Sequence, residues 1–204
     1  RNGGAGPQRT AQARQRILDV ALEQFGTYGF EGTSTHSIAK QAGVTQPLLN
    51  YHFRSKDQLW RVAVSEALES YWAPLRRSIR AHRGGAAAEC LRIFIDQLVR
   101  MAALKPQLYR VLLSADSQNT ARMQWIFDEY VRDHVRTVSA LLRRGQREGS
   151  VRNGDPMQLY YVLLSAGGLP FTISSEYRQL TGRDVFAESE IRRMIDFLYT
   201  LIEK

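Results

Sequence analysis

The segment from Thr35 to Phe53 constrains the fold most, because it carries two short helical patterns separated by a glycine. Gly43 stands where a left-handed residue would end the first helix. Thr45 stands where a side chain would N-cap the second helix, with Pro47 in its first turn. This spacing is typical of a helix-turn-helix, whose second helix enters the major groove of DNA. The sequence therefore predicts two helices meeting at a tight corner and indicates DNA binding.

The predicted second helix has an inner and an outer face. At about 100° per residue, Leu49 and Phe53 point toward the first helix together with Val44. The outer face and its flanks remain for a groove, and they comprise Gln46, Pro47, Leu48, Asn50, Tyr51 and His52. This outer face is the predicted DNA-reading surface.

Several of these side chains have a specific use on DNA. The Gln46 amide can bond bidentately to an adenine edge, and Pro47 or Leu48 can touch a thymine methyl group. Lys56, just beyond the helix, can pair with a phosphate. Tyr51 and His52 can hydrogen-bond phosphates or base edges, and the alternative for each is a place in a small core.

The flanking sequence completes a three-helix unit. Residues 10 to 29 carry the apolar stripe of an amphipathic helix. Thr35 stands at a helix start, where its hydroxyl and the adjacent backbone N–H groups suit a phosphate. Ser55 and Gln58 form a capping box that predicts a long helix beginning near residue 56.

Residues 17 to 62 contain a series of six short motifs. They are Phe25-x-x-x-Gly29-Phe30, Thr33-Ser34-Thr35, Ile38-Ala39, Gly43-Val44-Thr45, Tyr51-His52-Phe53 and Lys56-x-x-Leu59. Through them the segment resembles the DNA-binding domain of the TetR family of bacterial transcriptional regulators. The resemblance implies positions at the DNA surface for Thr35, His36, Gln46, Pro47, Leu48, Asn50, Tyr51, His52 and Lys56. Where this chain has Asn50 the family usually has a phosphate-contacting tyrosine, which leaves both a phosphate contact and a base contact open for Asn50.

Composition sets outer limits on the class of protein. The formal charge is +8, mostly within the first 84 residues, which favours a polyanionic partner. Residues 1 to 9 are predicted to be a disordered basic tail that is either plainly solvated or touches DNA through Arg1 and Arg9. The single cysteine, Cys90, excludes an intramolecular disulfide. With no signal peptide and no apolar run of about 20 residues, we expect a cytoplasmic protein without a membrane partner.

No segment shows the sustained period-2 alternation of a strand, so the predicted fold class is all-α. Residues 10 to 58 are assigned to a three-helix helix-turn-helix domain. Residues 59 to 204 are assigned to a larger helical domain for ligand binding and dimerisation. Within it, a helix capped by Asn119 or Thr120 is predicted to reach Glu148, and one beginning at Asp155 to run toward Tyr177.

The last two predicted helices carry more apolar surface than one protomer needs. We expect part of it to form a homodimer interface, in which small residues allow close helix approach. The residues expected at this interface are Tyr160, Leu164, Gly167, Gly168, Phe171, Ile195, Leu198 and Ile202. The alternative is a monomer with a larger core.

The middle helices are rich in aromatic residues, and the TetR resemblance implies that a small-molecule effector enters there. The expected pocket residues are Phe94, Leu98, Met101, Tyr109, Trp125, Phe127, Tyr130 and Tyr161, of which many must simply fill the core. The scarcity of internal charge favours a hydrophobic molecule, with His134, Arg110 or Asp116 as polar anchor. The sequence names neither the molecule nor a cofactor.

Three functional classes were compared. An enzyme is disfavoured because the histidines are dispersed and neither a metal motif nor a phosphate loop is present. A helical adaptor that binds proteins would leave Gln46, Tyr51 and His52 without a purpose. The sequence favours a homodimeric transcriptional regulator, a repressor released from a palindromic operator in double-stranded DNA by a hydrophobic ligand. An activator or a corepressor-dependent regulator remains an alternative.

Overall fold

The computed structural model describes residues 5–82, 84–117 and 121–204, and these form eleven α-helices and one π-helical turn. The N-terminal head contains α1 (Ala5–Tyr28), α2 (Thr35–Gln41) and α3 (Gln46–His52), and α4 (Lys56–Ala81) leads into the body. The body contains α5 (Ala87–Leu104), α6 (Pro106–Ser117), α7 (Ala121–Ile126), the π turn (Phe127–Val131), α8 (Arg132–Glu148), α9 (Pro156–Thr172), α10 (Ser174–Thr181) and α11 (Glu188–Ile202). The described residues contain no strand, only an isolated bridge between Val151 and Glu203. The predicted all-α class is confirmed.

The end of α2 and the starts of α3 and α4 are capped by the residues that the sequence predicts. Gly43 has a left-handed φ of 65° after α2, a conformation that glycine adopts without steric cost. The Thr45 hydroxyl accepts from the Leu48 backbone N–H at 3.4 Å, and the Ser55 hydroxyl accepts from that of Gln58 at 3.1 Å. Each hydroxyl satisfies a donor that the first helical turn would otherwise leave unpaired.

Three predicted boundaries differ from the structure. Residues 5 to 9, predicted as disordered tail, belong to α1, because proline is tolerated in a first helical turn and Pro7 lies there. The helix predicted to reach Glu148 is interrupted by the π turn. The helix predicted to run from Asp155 toward Tyr177 ends at Thr172, and a separate helix, α10, begins at Ser174. The predictions for Arg1, Asn119 and Thr120 lie outside the described residues.

Head and body share one continuous core. Helix α1 packs against both α4 and α6, while α5 is surrounded by α4, α8, α9 and α11. The largest fully buried side chains include Phe25 and Trp60 at the head end and Phe94 and Phe171 in the body. Helix α4 therefore contributes to both ends of this core.

The residues predicted at the dimer interface pack mostly inside the protomer, and other side chains form the exposed surface of α9 and α11. Tyr160, Leu164, Gly167, Gly168, Phe171, Ile195, Leu198 and Ile202 are buried or half-buried within the protomer. A Cβ atom on Gly167 would approach Leu98 and Leu198 at 3.2 and 3.3 Å, so this glycine serves packing inside one chain. Helical periodicity shows that a helix has apolar faces, but not which face meets the core. The apolar side chains that α9 and α11 expose are Met157, Tyr161, Val162, Leu169 and Phe197.

Candidate DNA-binding surface and body cavity

Helix α3 is anchored by one buried side chain, and its other side chains are exposed or half-buried. Leu49 is fully buried, whereas Tyr51 is 79% exposed. Pro47 and Asn50 are exposed beside Tyr51, and His36 is exposed on α2. The structure thus brings the predicted DNA-facing side chains onto one surface of the head.

A hydrogen-bonded amide pair lies within this surface. Gln46 Nε2 donates to Thr35 Oγ1 at 3.2 Å and to Asn50 Oδ1 at 3.1 Å. Both donors of the Gln46 amide are therefore engaged, and its Oε1 atom is buried without a partner among the described residues. Asn50 is exposed, and its Oδ1 atom is the one engaged by Gln46. The amide most available to a base edge is thus that of Asn50, held in orientation by Gln46.

Tyr51 and His52 occupy different environments. Their rings meet edge-on with centroids 5.3 Å apart, and His52 also lies 6.0 Å from the Phe53 ring. His52 is half-buried, and its Nε2 atom is enclosed without a partner within the described chain. The core alternative therefore fits His52 better than Tyr51, which projects freely.

Lys56 is tied to the protein. Its Nζ atom donates to the carbonyl oxygens of Phe30 at 2.9 Å and Thr33 at 3.0 Å, and it lies 4.4 Å from the Phe30 ring centroid. The ammonium group therefore closes the loop before α2 and has one N–H left for a phosphate. The sequence did not predict this structural contact.

The sequence analysis also missed a polar network that fixes α1 against α2. Gln24 Nε2 donates to Gln41 Oε1 at 2.7 Å, and Ser37 Oγ donates to Gln24 Oε1 at 2.6 Å. Gln24 is only 5% exposed. Its position beside the apolar stripe of α1 is the signal that would have identified it.

A largely apolar cavity of about 220 Å³ lies in the body between α4, α5, α6, α9 and the segment from α7 to α8. Its walls are Leu68, Tyr71, Trp72, Leu98, Met101, Tyr109, Leu112, Leu113, Met123, Val131, His134, Tyr160, Tyr161 and Leu164. None of these side chains is acidic, and none is a lysine or an arginine. Burial keeps His134 neutral as well, lowering the pKa of its imidazole to about 3.

Half of the predicted pocket residues line this cavity, namely Leu98, Met101, Tyr109 and Tyr161. Phe94 is fully buried behind it, with its ring 5.6 Å from that of His134. Trp125 and Phe127 point elsewhere, because Trp125 packs on Trp60 of α4 and Phe127 lies under Arg132. Neither residue lines this cavity.

A more polar cleft of about 300 Å³ adjoins the cavity, since Trp72 and His134 line both. Tyr130, predicted as a pocket residue, lines this cleft. Of the three suggested polar anchors, His134 faces the cavity, Arg110 is not among its walls, and the Asp116 side chain lies outside the described residues.

A second route from body to head runs through α7. The Arg122 guanidinium lies 3.6 Å from the Phe30 ring centroid, and its nitrogens are 3.8 Å from Glu31 Oε1 and 3.9 Å from Asp57 Oδ1. Met123, the next residue of α7, lines the cavity. Helix α7 therefore touches the cavity and the DNA-binding head at once, a feature that no sequence motif indicated.

Within the described ranges, no group of three or more histidine, cysteine, aspartate or glutamate side chains could hold a metal ion. Among the helices of the same ranges, none is both long and apolar enough to cross a bilayer.

The exposed recognition helix on a helical body defines a helix-turn-helix DNA-binding protein. The family models for bacterial regulatory proteins of the tetR family and for the tetracyclin repressor-like C-terminal domain match residues 17–63 and 88–202. The chain belongs to the TetR family of DNA-binding transcriptional regulators.

Relatives and solved structures agree with this assignment. The chain is 28% identical to the transcriptional regulator RutR of Escherichia coli K12 over 153 residues, which cover 74% of this chain and 69% of RutR. It is 28% identical to the regulatory protein RaaS of Mycobacterium tuberculosis over 163 residues, covering 79% and 70%. The structure of the ketosteroid regulator KstR2 of M. tuberculosis superposes with a TM-score of 0.76 at 18% identity, covering 94% of this chain and 95% of KstR2.

Proposed function

We propose that this regulator is a homodimeric repressor that binds a palindromic operator and leaves it when a small, largely hydrophobic molecule enters the body cavity. The observation that carries the proposal is the placement of α4. Trp60, near its start, is buried in the head core, whereas Tyr71 and Trp72, three turns later, line the cavity. A ligand that displaces the cavity wall therefore acts on the helix that positions the DNA-binding head.

The geometry of DNA explains why a small displacement suffices. Two recognition helices must lie about 34–36 Å apart to enter successive major grooves. A shift of α4 by a few ångströms in each protomer disfavours that spacing. A coupling of about 1–3 kcal/mol, typical of allostery, changes operator affinity by roughly 5- to 150-fold.

The pairing of two protomers is supported by the exposed apolar side chains of α9 and α11. Tyr161, Val162 and Leu169 project from one side of α9, and Phe197 projects from α11, each with 45% or more of its surface exposed. Burying this surface against a second copy would form a four-helix interface. The family assignment favours this dimeric regulator over the helical adaptor, since an adaptor gives the exposed face of α3 no role.

The test is a titration of operator binding with an apolar compound that raises the melting temperature. We expect the affinity for the operator to fall as the compound saturates the protein. Saturating operator should lower the affinity for the compound by the same factor, because binding linkage is reciprocal. A Met101→Trp variant, whose larger side chain fills the cavity, should no longer bind the compound. A compound that occupies the cavity and leaves operator affinity unchanged would contradict the proposal.

A further inference from the structure

Two residues of the cavity wall, Tyr71 and Trp72, carry buried polar groups that no described part of the protein pairs. Tyr71 Oη and Trp72 Nε1 are buried and have no hydrogen-bond partner within the described part of the chain. The two rings are neighbours, with centroids 4.6 Å apart. A buried donor that has no protein acceptor gains free energy from an acceptor on a bound molecule.

His134 lies beside these two donors. Its ring centroid is 3.7 Å from that of Trp72 and 6.4 Å from that of Tyr71, and the residue is 8% exposed. Its ring contacts are aromatic, with Phe94 and Tyr160 completing the enclosure at 5.6 Å each. A neutral imidazole offers one donor and one acceptor and no charge.

The hydroxyl group of Tyr109, another residue of the cavity wall, already has a hydrogen-bond partner. Tyr109 Oη donates to the Leu164 carbonyl oxygen at 3.0 Å. Tyr109 therefore contributes its ring to the cavity wall. Tyr160 and Tyr161 also bring hydroxyl groups to this wall, and the donors that are buried without a partner in the described part of the chain are those of Tyr71 and Trp72.

We infer, resting on the proposed function, that the effector is an uncharged and mainly apolar molecule whose single buried oxygen accepts hydrogen bonds from Tyr71 Oη and Trp72 Nε1 beside His134. A carboxylate or an ammonium group would enter without a counter-charge in the wall and would lose its hydration. A dry cavity of 150 Å³ is known to hold benzene, so this cavity of about 220 Å³ takes about ten non-hydrogen atoms.

The experiment uses four probes of nearly equal shape. Acetophenone carries a carbonyl oxygen, α-methylstyrene replaces that oxygen with a CH₂ group, benzoate is an anion and benzamidinium is a cation. The cation tests whether the aromatic rings of the wall instead bind a positively charged group through cation–π interactions. Affinities are measured by NMR titration of the full chain, with the Trp72 indole N–H signal as reporter.

We expect acetophenone to bind about fivefold to tenfold more tightly than each other probe and to move the Trp72 indole proton downfield. Trp72→Phe and Tyr71→Phe should lower acetophenone affinity toward that of α-methylstyrene, whose own affinity stays unchanged. Tyr109→Phe is the matched control and should keep the preference for acetophenone. Equal binding of acetophenone and α-methylstyrene, tighter binding of either ion, or no binding of acetophenone would overturn the inference.

Operator binding, measured in parallel, separates this inference from the proposed function. If acetophenone binds selectively and operator affinity does not change, the inferred class of ligand is supported, and the proposal that a ligand in the cavity releases the operator is contradicted. Operator release by benzoate or benzamidinium bound in the cavity would support control and overturn the ligand class.

Discussion

Lys56 joins the start of α4 to the loop before α2 through two carbonyl contacts. Hydrogen bonds from a charged donor contribute about 1.5–3 kcal/mol each when buried, and partial exposure reduces this value. We expect Lys56→Ala to lower the free energy of unfolding by about 1–2 kcal/mol and to weaken binding to all duplexes alike, since a phosphate contact carries no sequence information. Urea unfolding and binding to operator and unrelated DNA measure both effects.

The exposed Lys40 on α2 provides the control for this prediction. Lys40→Ala should leave stability within about 0.5 kcal/mol of the wild type, as surface substitutions usually do. A Lys56→Ala protein as stable as Lys40→Ala would show that the carbonyl contacts contribute nothing measurable.

His134 makes the folded protein sensitive to acid. Burial lowers the pKa of its imidazole from an ordinary value near 6.5 to about 3, so between these values the unfolded chain binds a proton that the folded chain does not. The free energy of unfolding therefore decreases as the pH falls through this window, by up to about 1.4 kcal/mol per pH unit. Above about pH 6.5 this contribution is constant.

The His134→Phe variant keeps an aromatic ring and cannot take up that proton. Between neutral pH and about pH 4.5 it should lose about 2 kcal/mol less stability than the wild type, measured by urea unfolding. Asp133 and Glu129 of the adjoining cleft are present in both proteins, so their contribution cancels in the comparison. Equal losses in the two proteins would mean that His134 is protonated in the folded state.

At the scale of elements, the exposed faces of α9 and α11 decide the oligomeric state. Phe197 is 57% exposed within the protomer, so Phe197→Glu should fold normally and place a charge without a partner in the interface. We expect monomers by light scattering and at least about a tenfold loss of operator affinity, because a single head reads only one half-site.

Leu104→Glu is the matched control, because Leu104 is 77% exposed at the end of α5 and borders a surface cleft with Ser70 and Pro74 of α4. This variant should remain dimeric. Gly167→Arg should instead unfold, because its side chain would meet Leu98 and Leu198 inside the core. A dimeric Phe197→Glu protein would place the interface elsewhere.

Helix α7 provides a second prediction at this scale, through the Arg122 contacts to Phe30, Glu31 and Asp57. Arg122→Ala should leave ligand affinity for the free protein nearly unchanged and reduce the coupling between ligand and operator by about 0.5–2 kcal/mol. Arg132→Ala is the control, because Arg132 is exposed and, within the described ranges, bonds to Asp128 and lies over the Phe127 ring, both of them near it in sequence. Undiminished coupling in Arg122→Ala would remove α7 from the pathway.

The helix-turn-helix was predictable because its signals are local. Gly43, Thr45 and Ser55 act through their own backbone conformation or on N–H groups three residues away, so their positions in the sequence are sufficient. The outward face of α3 followed from helical periodicity once Leu49 was assigned to the core. The resemblance at residues 17 to 62 rested on the same residues.

The cavity walls and the dimer face depend on contacts between distant segments, and sequence pattern does not specify them. Phe94 and Leu98 repeat along one apolar stripe of α5, yet only Leu98 reaches the cavity. Gly167 was assigned to a partner helix, although the atoms that require its small size belong to α5 and α11 of the same chain. Which apolar surface stays uncovered is decided by the packing of the whole body.

In the molecule as a whole, the head is expected to read DNA, and the body is expected to pair two copies and encloses a cavity. The two parts share one core through α1 and α4, so neither is expected to move without the other. The amide pair of Gln46 and Asn50 lies at the outer end of this assembly, where the arrangement of two copies determines which DNA sequences fit.

Selection of bound sequences from random duplex DNA shows whether two recognition helices read an operator together. We expect an enriched palindrome whose half-site centres lie about 34–36 Å apart or at a multiple of one helical turn. Gln46→Ala, which releases Asn50, should relax the preference at one base pair per half-site by about 1–3 kcal/mol and leave the others unchanged. Recovery of no enriched sequence, or of a single half-site without two-fold symmetry, would contradict a dimeric sequence-specific regulator.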